Sequence, residues 1–170
     1  MNAEKRREKI LQQLKRSSGE ALSASALAAT FGVSRQIIVG DVALLRAAGE
    51  NISATPRGYV ISSSPQGLIR QIAYRHGEAE METELYAIVD QGCTVLDVIV
   101  EHPVYGQLTG PLQLSSRYDV NQFIARCRES GAMPLSDLTR GIHLHTIVCP
   151  DEDAFARVQK VLKELGIMLS

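Results

Sequence analysis

Within the first 61 residues the hydrophobic positions fall at helical spacing three times over. From Ala3 to Arg16, Ile10, Leu11 and Leu14 share one side and basic residues surround them, the pattern of an amphipathic helix lying on a core. Ser23 is a good N-cap for a second, short helix in which Leu27 and Phe31 share a face, and Gly32 can take the left-handed conformation that ends it. Ser34 then caps a third helix running to about Ala48, with Ile38, Val42 and Leu45 as its buried stripe. The short turn between the second and third helices, with Val33 tucked inward, has helix-turn-helix spacing. Asn51 to Thr55 and Gly58 to Ile61 read as two short strands around Pro56-Arg57, where proline suits the second position of a turn and glycine the fourth. These elements predict a winged helix.

On the third helix the face opposite the buried stripe carries Gln36, Val39, Gly40 and Ala43, flanked by Arg35 and Arg46. Glutamine can pair with adenine, valine and alanine can touch a thymine methyl, and arginine can hold guanine or phosphate. Arg57 at the tip of the hairpin is placed to reach a phosphate or the minor groove. The candidate DNA contacts are therefore Ser34, Arg35, Gln36, Val39, Gly40, Arg46 and Arg57. Charge agrees with this placement. Through Ile61 there are nine Lys/Arg against five Asp/Glu, and beyond it nine against fourteen, so a net charge of −1 conceals a basic head and an acidic body. Such asymmetry points to an anionic partner for the head. A three-helix module that binds no nucleic acid is the plainer reading of the spacing alone. Turn, cap, polar face, Arg-tipped hairpin and charge all agree, and together they favour double-stranded DNA.

Ser62-Ser63-Ser64-Pro65-Gln66-Gly67 is a cluster of turn formers that reads as a linker. After it the period changes. Leu68, Arg70, Ile72 and Tyr74 alternate as in a strand ending at His76-Gly77; Leu85, Ile88 and Val89 lie at helical spacing between Met81 and Asp90. Strands are expected over Val95–Glu101, about Tyr105–Leu114, Ile142–Val148 and Ile167–Leu169. Helices are expected around Val120, Phe123, Ile124 and Cys127, capped by Ser116 or Asp119, and over Asp151–Leu165. The fold class predicted is α+β: an N-terminal winged helix-turn-helix domain (1–61), a linker (62–67) and an α/β sandwich domain (68–170) with helices packed on a sheet.

Composition narrows the classes. A chain of 170 residues with 45% hydrophobic and 22% charged residues is neither disordered nor fibrous; it has room for one medium domain or two small ones, which excludes long multidomain enzymes. With 5% aromatic residues and no Trp, stacking platforms for single strands are not expected. No apolar run approaches the roughly 20 residues of a membrane span; the best stretch, Val95 to Val100, is interrupted by Asp97. The charged start, Met1 to Arg16, does not resemble an export signal. Cys93, Cys127 and Cys149 are odd in number, widely spaced and without a C-x-x-C pair, which argues against a disulfide framework or a thiolate zinc site and fits a reducing cytoplasm.

Four histidines carry the candidate chemistry of the second domain. His143 and His145 flank Leu144, so on a strand both rings point to one face while Ile142 and Leu144 point to the other. Two imidazoles so placed can grip one metal ion, and further ligands are needed. His76 is available at a strand end and His102 at a bend before Pro103. Glu78, Glu80, Glu82 and Glu84 read first as a solvated face, although the last two flank the apolar helix stripe and can lean toward the sheet. The residues alone do not choose among them.

Several longer segments carry a family resemblance. Ser34-Arg35-Gln36-Ile37-Ile38-Val39, Asp41-Val42-Ala43-Leu44-Leu45-Arg46, Gly58-Tyr59-Val60, Glu101-His102-Pro103-Val104-Tyr105-Gly106, Pro134-Leu135-Ser136-Asp137-Leu138-Thr139 and Gly141-Ile142-His143-Leu144-His145-Thr146 resemble the niacin-responsive transcriptional repressors. These couple a winged helix to a three-histidine domain. The resemblance implies a homodimeric repressor, not an enzyme, that binds operators of genes for NAD biosynthesis or niacin uptake. Its corepressor would be nicotinic acid or nicotinamide. The same resemblance implies His76, Glu84, His143 and His145 as ligands of one divalent transition ion, nickel or zinc foremost, and His102, Tyr105 and Thr146 as effector contacts. Two other functions compete: a repressor for which the metal itself is the signal, and a metal-dependent hydrolase of a small pyridine.

Overall fold

Side-chain caps open each N-terminal helix. Asn2 accepts a hydrogen bond from the Lys5 N–H at 2.9 Å and starts α1 (Ala3–Arg16); Ser23 accepts from Ala26 at 3.0 Å and starts α2 (Ala24–Phe31); Ser34 accepts from Ile37 at 3.3 Å and starts α3 (Arg35–Ala47). The computed structural model describes residues 2–61 and 65–170, and the chain divides into two compact units, Met1–Ser64 and Pro65–Ser170. Ser62, Ser63 and Ser64, half of the expected linker, lie outside the described residues.

In the first unit α2 closes at Gly32, left-handed at φ +64°, and the Val33 N–H returns to the Ala28 carbonyl. Helices α2 and α3 then meet at 105°, an angle typical of a helix-turn-helix. The expected apolar stripes converge: Ile10 and Leu14 of α1, Leu27 of α2, and Ile38, Val42 and Leu45 of α3 are buried in one core with Ile52. Strands β1 (Ile52–Thr55) and β2 (Gly58–Ile61) pair antiparallel, and Leu22 adds a bridge to Tyr59. Gly58 is needed for that bridge. At φ +139° it lies against the Leu22 backbone, where a Cβ would collide.

In the second unit the antiparallel sheet has the order β3-β6-β4-β5, with β3 at Leu68–Arg75, β4 at Thr94–His102, β5 at Gly106–Leu114 and β6 at Ile142–Cys149. Helices α4 (Met81–Val89), α5 (Arg117–Ser130) and α6 (Glu152–Glu164) pack against one face of it. Strand alternation supplies that face with Ile72, Tyr74, Val95, Leu114 and Ile147, and the helices answer with Leu85, Ile88, Val120, Val158 and Leu162. Ser116 caps α5, while Asp119 accepts from the Ser115 backbone. The expected final strand is absent: Met168 makes only an isolated bridge to Tyr74, because the segment after α6 meets β3 over too few residues for a ladder.

Two of the three cysteines pair, contrary to the expectation from their spacing. Cys93 and Cys149 are disulfide-bonded and buried, their Cα atoms 4.4 Å apart across 56 residues of sequence. The pairing of Thr94 with Val148 places residue 93 beside residue 149, a proximity that sequence spacing does not reveal. Cys127 is free. Among the described residues no single helix is long and apolar enough to cross a membrane.

Candidate functional site

Strand pairing assembles the histidines. In the β3–β6 register Tyr74 lies opposite His143 and Ile72 opposite His145, so both imidazoles face the helix layer. His76 follows β3, and Glu84 enters from the first turn of α4, an end that favours negative charge. The side chains of His76, Glu84, His143 and His145 are each no more than 5% exposed. Nε2 of His76 contacts Glu84 Oε2, Nε2 of His143 lies 3.2 Å from the same oxygen, and Nε2 of His145 lies 2.6 Å from Oε1. Ligand atoms of His76, Glu84 and His143 all lie within 4.8 Å of one another.

The far sides of the rings decide what this cluster can hold. His76 Nδ1 donates to the Gly77 carbonyl at 2.8 Å, His143 Nδ1 to Gly141 at 2.9 Å and His145 Nδ1 to Asp97 at 2.6 Å. A carbonyl oxygen only accepts, so each Nδ1 carries its hydrogen and each neutral ring aims an Nε2 lone pair at a carboxylate that is itself only an acceptor. Lone pairs and carboxylate share that space only with positive charge between them, as ring protons or as a metal ion. Backbone carbonyls that fix imidazoles from behind are also the usual second layer of a metal site.

Electrostatics state the same demand in protons. Burial disfavours charge on His76, yet its hydrogen bond to Glu84 and the carboxylate charge overcome this and raise its pKa. His145 behaves alike: burial lowers its pKa, the Glu84 charge and hydrogen bond raise it, and the raising effects win. Burial would push Glu84 up, but the charge on His145 and hydrogen bonds from His143, His145 and His76 hold it well below the usual carboxylate range. The donors of His76, Glu84 and His143 lie close enough together to hold one metal ion, with His145 beside them on the other carboxylate oxygen.

Not every expected residue joins the cluster. Glu78 and Glu80 are exposed, and Glu82 accepts from the Tyr86 hydroxyl, leaving Glu84 alone among the four glutamates. Thr146 is turned away: strand alternation puts its side chain on the opposite face, where its hydroxyl accepts from Gln71. His102 and Tyr105 stand together at the β4–β5 turn with ring centroids 5.0 Å apart, and His102 Nδ1 accepts the Val104 and Tyr105 N–H groups. Three contributors escaped the sequence reading. Asp97 sits at a bulge in β4 that turns its carbonyl to His145, and the charge interrupting Val95–Val100 was its visible signal. Gly141, at φ +90°, lies so close to His76 that a Cβ would strike the His76 carbonyl. Tyr74 packs against all three rings.

In the first unit α3 exposes Arg35, Gln36, Gly40 and Arg46, while Val39 is half-buried. Ser34 is exposed and spends its hydroxyl as the helix cap. Arg57 lies in the hairpin turn and is half-buried, with its N–H donated to the Thr55 hydroxyl. Asp41, on the inner side of α3, is 4% exposed and pairs with Arg6 at 2.6 Å and Arg7 at 3.6 Å.

A helix-turn-helix unit followed by an α/β domain with a buried His/Glu cluster defines a DNA-binding transcription regulator. Residues 6–60 match an HTH domain and residues 69–170 match the 3H domain. The chain is 42% identical over 166 residues to the probable transcription repressor NiaR of Thermotoga maritima, covering 98% of this chain and 94% of that protein. It is 43% identical over 168 residues to the transcription repressor NadR of Bacillus subtilis, covering 96% and 93%. The chain therefore belongs to the NiaR and NadR family of transcription repressors, regulators rather than enzymes.

Proposed function

We propose that this chain is a homodimeric repressor of NAD-biosynthesis or niacin-uptake genes, acting on double-stranded operator DNA in the cytoplasm. One divalent transition ion is held by His76, Glu84, His143 and His145, and nicotinic acid or nicotinamide is the corepressor. The observation that carries the metal reading is the backbone carbonyl behind each of the three rings, which leaves three Nε2 lone pairs directed at one buried carboxylate. The bound ion would offer an electrophilic position that a pyridine carboxylate can complete.

Around it the protein's own groups have distinct tasks. Gly77, Gly141 and Asp97 carbonyls fix the ring orientations, and Glu84 supplies the compensating negative charge. The β4–β6 pairing of Ile99 with Leu144 carries His102 and Tyr105 toward the end of the sheet where β6 begins. There they are the candidates for holding the pyridine, whereas Thr146 faces away.

Linkage gives the test. A corepressor must bind the DNA-bound protein more tightly than the free protein, by the factor with which it strengthens operator binding. Calorimetric titration of metal-loaded protein with nicotinic acid and with nicotinamide, with and without operator duplex, measures both sides of that equality. Tighter binding of one pyridine to the DNA complex supports the reading. Operator affinity that follows metal concentration and ignores both pyridines would make the ion itself the signal.

A further inference from the structure

The exposed face of α3 is almost without hydrogen-bonding groups. Between Arg35 and Arg46 the charged side chains reduce to Asp41, which is buried and bound to Arg6 and Arg7. Ile38, Val42 and Leu45 are buried in the core. What remains exposed over that stretch is Gln36, Ile37, Gly40, Ala43 and Leu44. Ile37 and Leu44 are seven residues apart, one above the other, and are 42% and 55% exposed. Gly40 lies beside them on the same side of the helix.

Nothing inside the fold calls for that glycine. Its φ is not positive, and beyond its own helix backbone a Cβ at this position meets no atom within 4 Å among the described residues. Mid-helix glycine is unfavourable, and close approach of a binding partner to the backbone is a role that offsets that cost. In the major groove a side chain distinguishes base pairs either by the donor and acceptor pattern of their edges or by apolar contact with the thymine methyl. With Gln36 the one amide on this face, the first route serves few positions and the second falls to Ile37 and Leu44.

We propose that α3 reads its operator chiefly through thymine methyl groups, with Ile37 and Leu44 as specificity-determining side chains and Gly40 setting the close approach of the helix to the groove floor. This inference rests on the reading of α3 as the recognition helix.

The experiment begins with the full-length, metal- and nicotinate-supplemented protein and an operator selected by it from random duplexes. Each thymidine is then replaced singly by deoxyuridine, which removes the methyl and leaves every pairing edge intact. At one or more thymines per half-site the replacement is expected to weaken binding about fourfold, the worth of one buried methyl-sized group. Ile37→Ala or Leu44→Ala is expected to weaken operator binding by a similar factor and to abolish the response to deoxyuridine at its own thymine. Gly40→Ala is expected to reduce operator binding more than binding to random duplex. A selected operator that stays tightly and specifically bound through every deoxyuridine replacement overturns methyl reading while leaving α3 in place as the recognition helix. Selection that yields no preferred sequence, or a preference indifferent to Gln36→Ala, Ile37→Ala and Leu44→Ala together, overturns the recognition-helix assignment and this inference with it. Circular dichroism melts of each variant separate these outcomes from unfolding.

Discussion

Tyr74 lies nearly face to face with His143, ring centroids 5.3 Å apart and planes inclined by 17°. Its edge contacts reach His145 at 5.2 Å and His76 at 6.4 Å, so one phenol ring is the floor of the whole imidazole cluster. Its hydroxyl is buried with no hydrogen-bond partner among the described residues, and burial together with the Glu84 charge raises its pKa well above the ordinary phenol value. The ring, not the hydroxyl, is what the site uses. Tyr74→Phe should therefore unfold within about 1 kcal/mol of the parent, or later, since an unsatisfied buried hydroxyl is costly. Tyr74→Ala should lose about 3 kcal/mol or more and weaken metal binding. Urea unfolding and metal titration of both variants check this.

Gly141 joins two tasks in one residue: its carbonyl accepts from His143 Nδ1, and its missing side chain makes room for the His76 backbone. Gly141→Ala is expected to displace His76 and to reduce metal affinity by at least about tenfold, the scale of a lost supporting contact. Chelator competition measures the affinity directly. An unaltered value would show that His76 does not depend on this approach.

The sign of the pH dependence follows from the cluster. In the metal-free fold His76 and His145 have raised pKa values, so their share of stability is present below the ordinary histidine value and is lost as pH rises through the raised values. Glu84, held low, contributes above the ordinary carboxylate value and loses that share as the pH falls. The metal-free domain should thus be most stable in the weakly acidic range between them. A metal ion must displace the ring protons, so its affinity should rise with pH through the histidine range and its binding should release protons. Thermal melts across pH with and without zinc, and calorimetry in two buffers of different ionisation enthalpy, test the two halves of this statement.

Asp41 ties the recognition helix to α1. With Arg6 bound to both of its carboxylate oxygens, at 2.6 and 3.3 Å, the pair is nearly shielded from water. Removing one partner strands the other, and Asp41→Ala is expected to cost about 3 kcal/mol. The same change should weaken binding to all duplex sequences by loosening α3, in contrast to Gln36→Ala, which should relax specificity. Melting curves and binding to selected and random duplexes distinguish the two effects.

Much of this architecture was legible from the residues themselves. The stripes Ile38, Val42 and Leu45 and the caps Ser23 and Ser34 follow from local rules, and the alternation around Leu144 placed both rings of His143 and His145 on one face. What stayed hidden depends on which strands become neighbours. The Cys93–Cys149 bond and the Asp97 carbonyl behind His145 exist because β4 lies beside β6, and no short-range pattern encodes that adjacency. Thr146, an effector contact implied by the family resemblance, has its side chain on the sheet face opposite His145, as period-two alternation requires.

Elemental analysis of metal content tests the central claim most directly. Purified protein stripped with chelator, incubated with nickel, zinc, cobalt or iron and dialysed should retain one ion per chain, and Glu84→Gln or His143→Ala protein, still folded by circular dichroism, should retain none. Wild-type protein that remains metal-free after all four incubations, or variants that load as fully as the parent, would contradict the account.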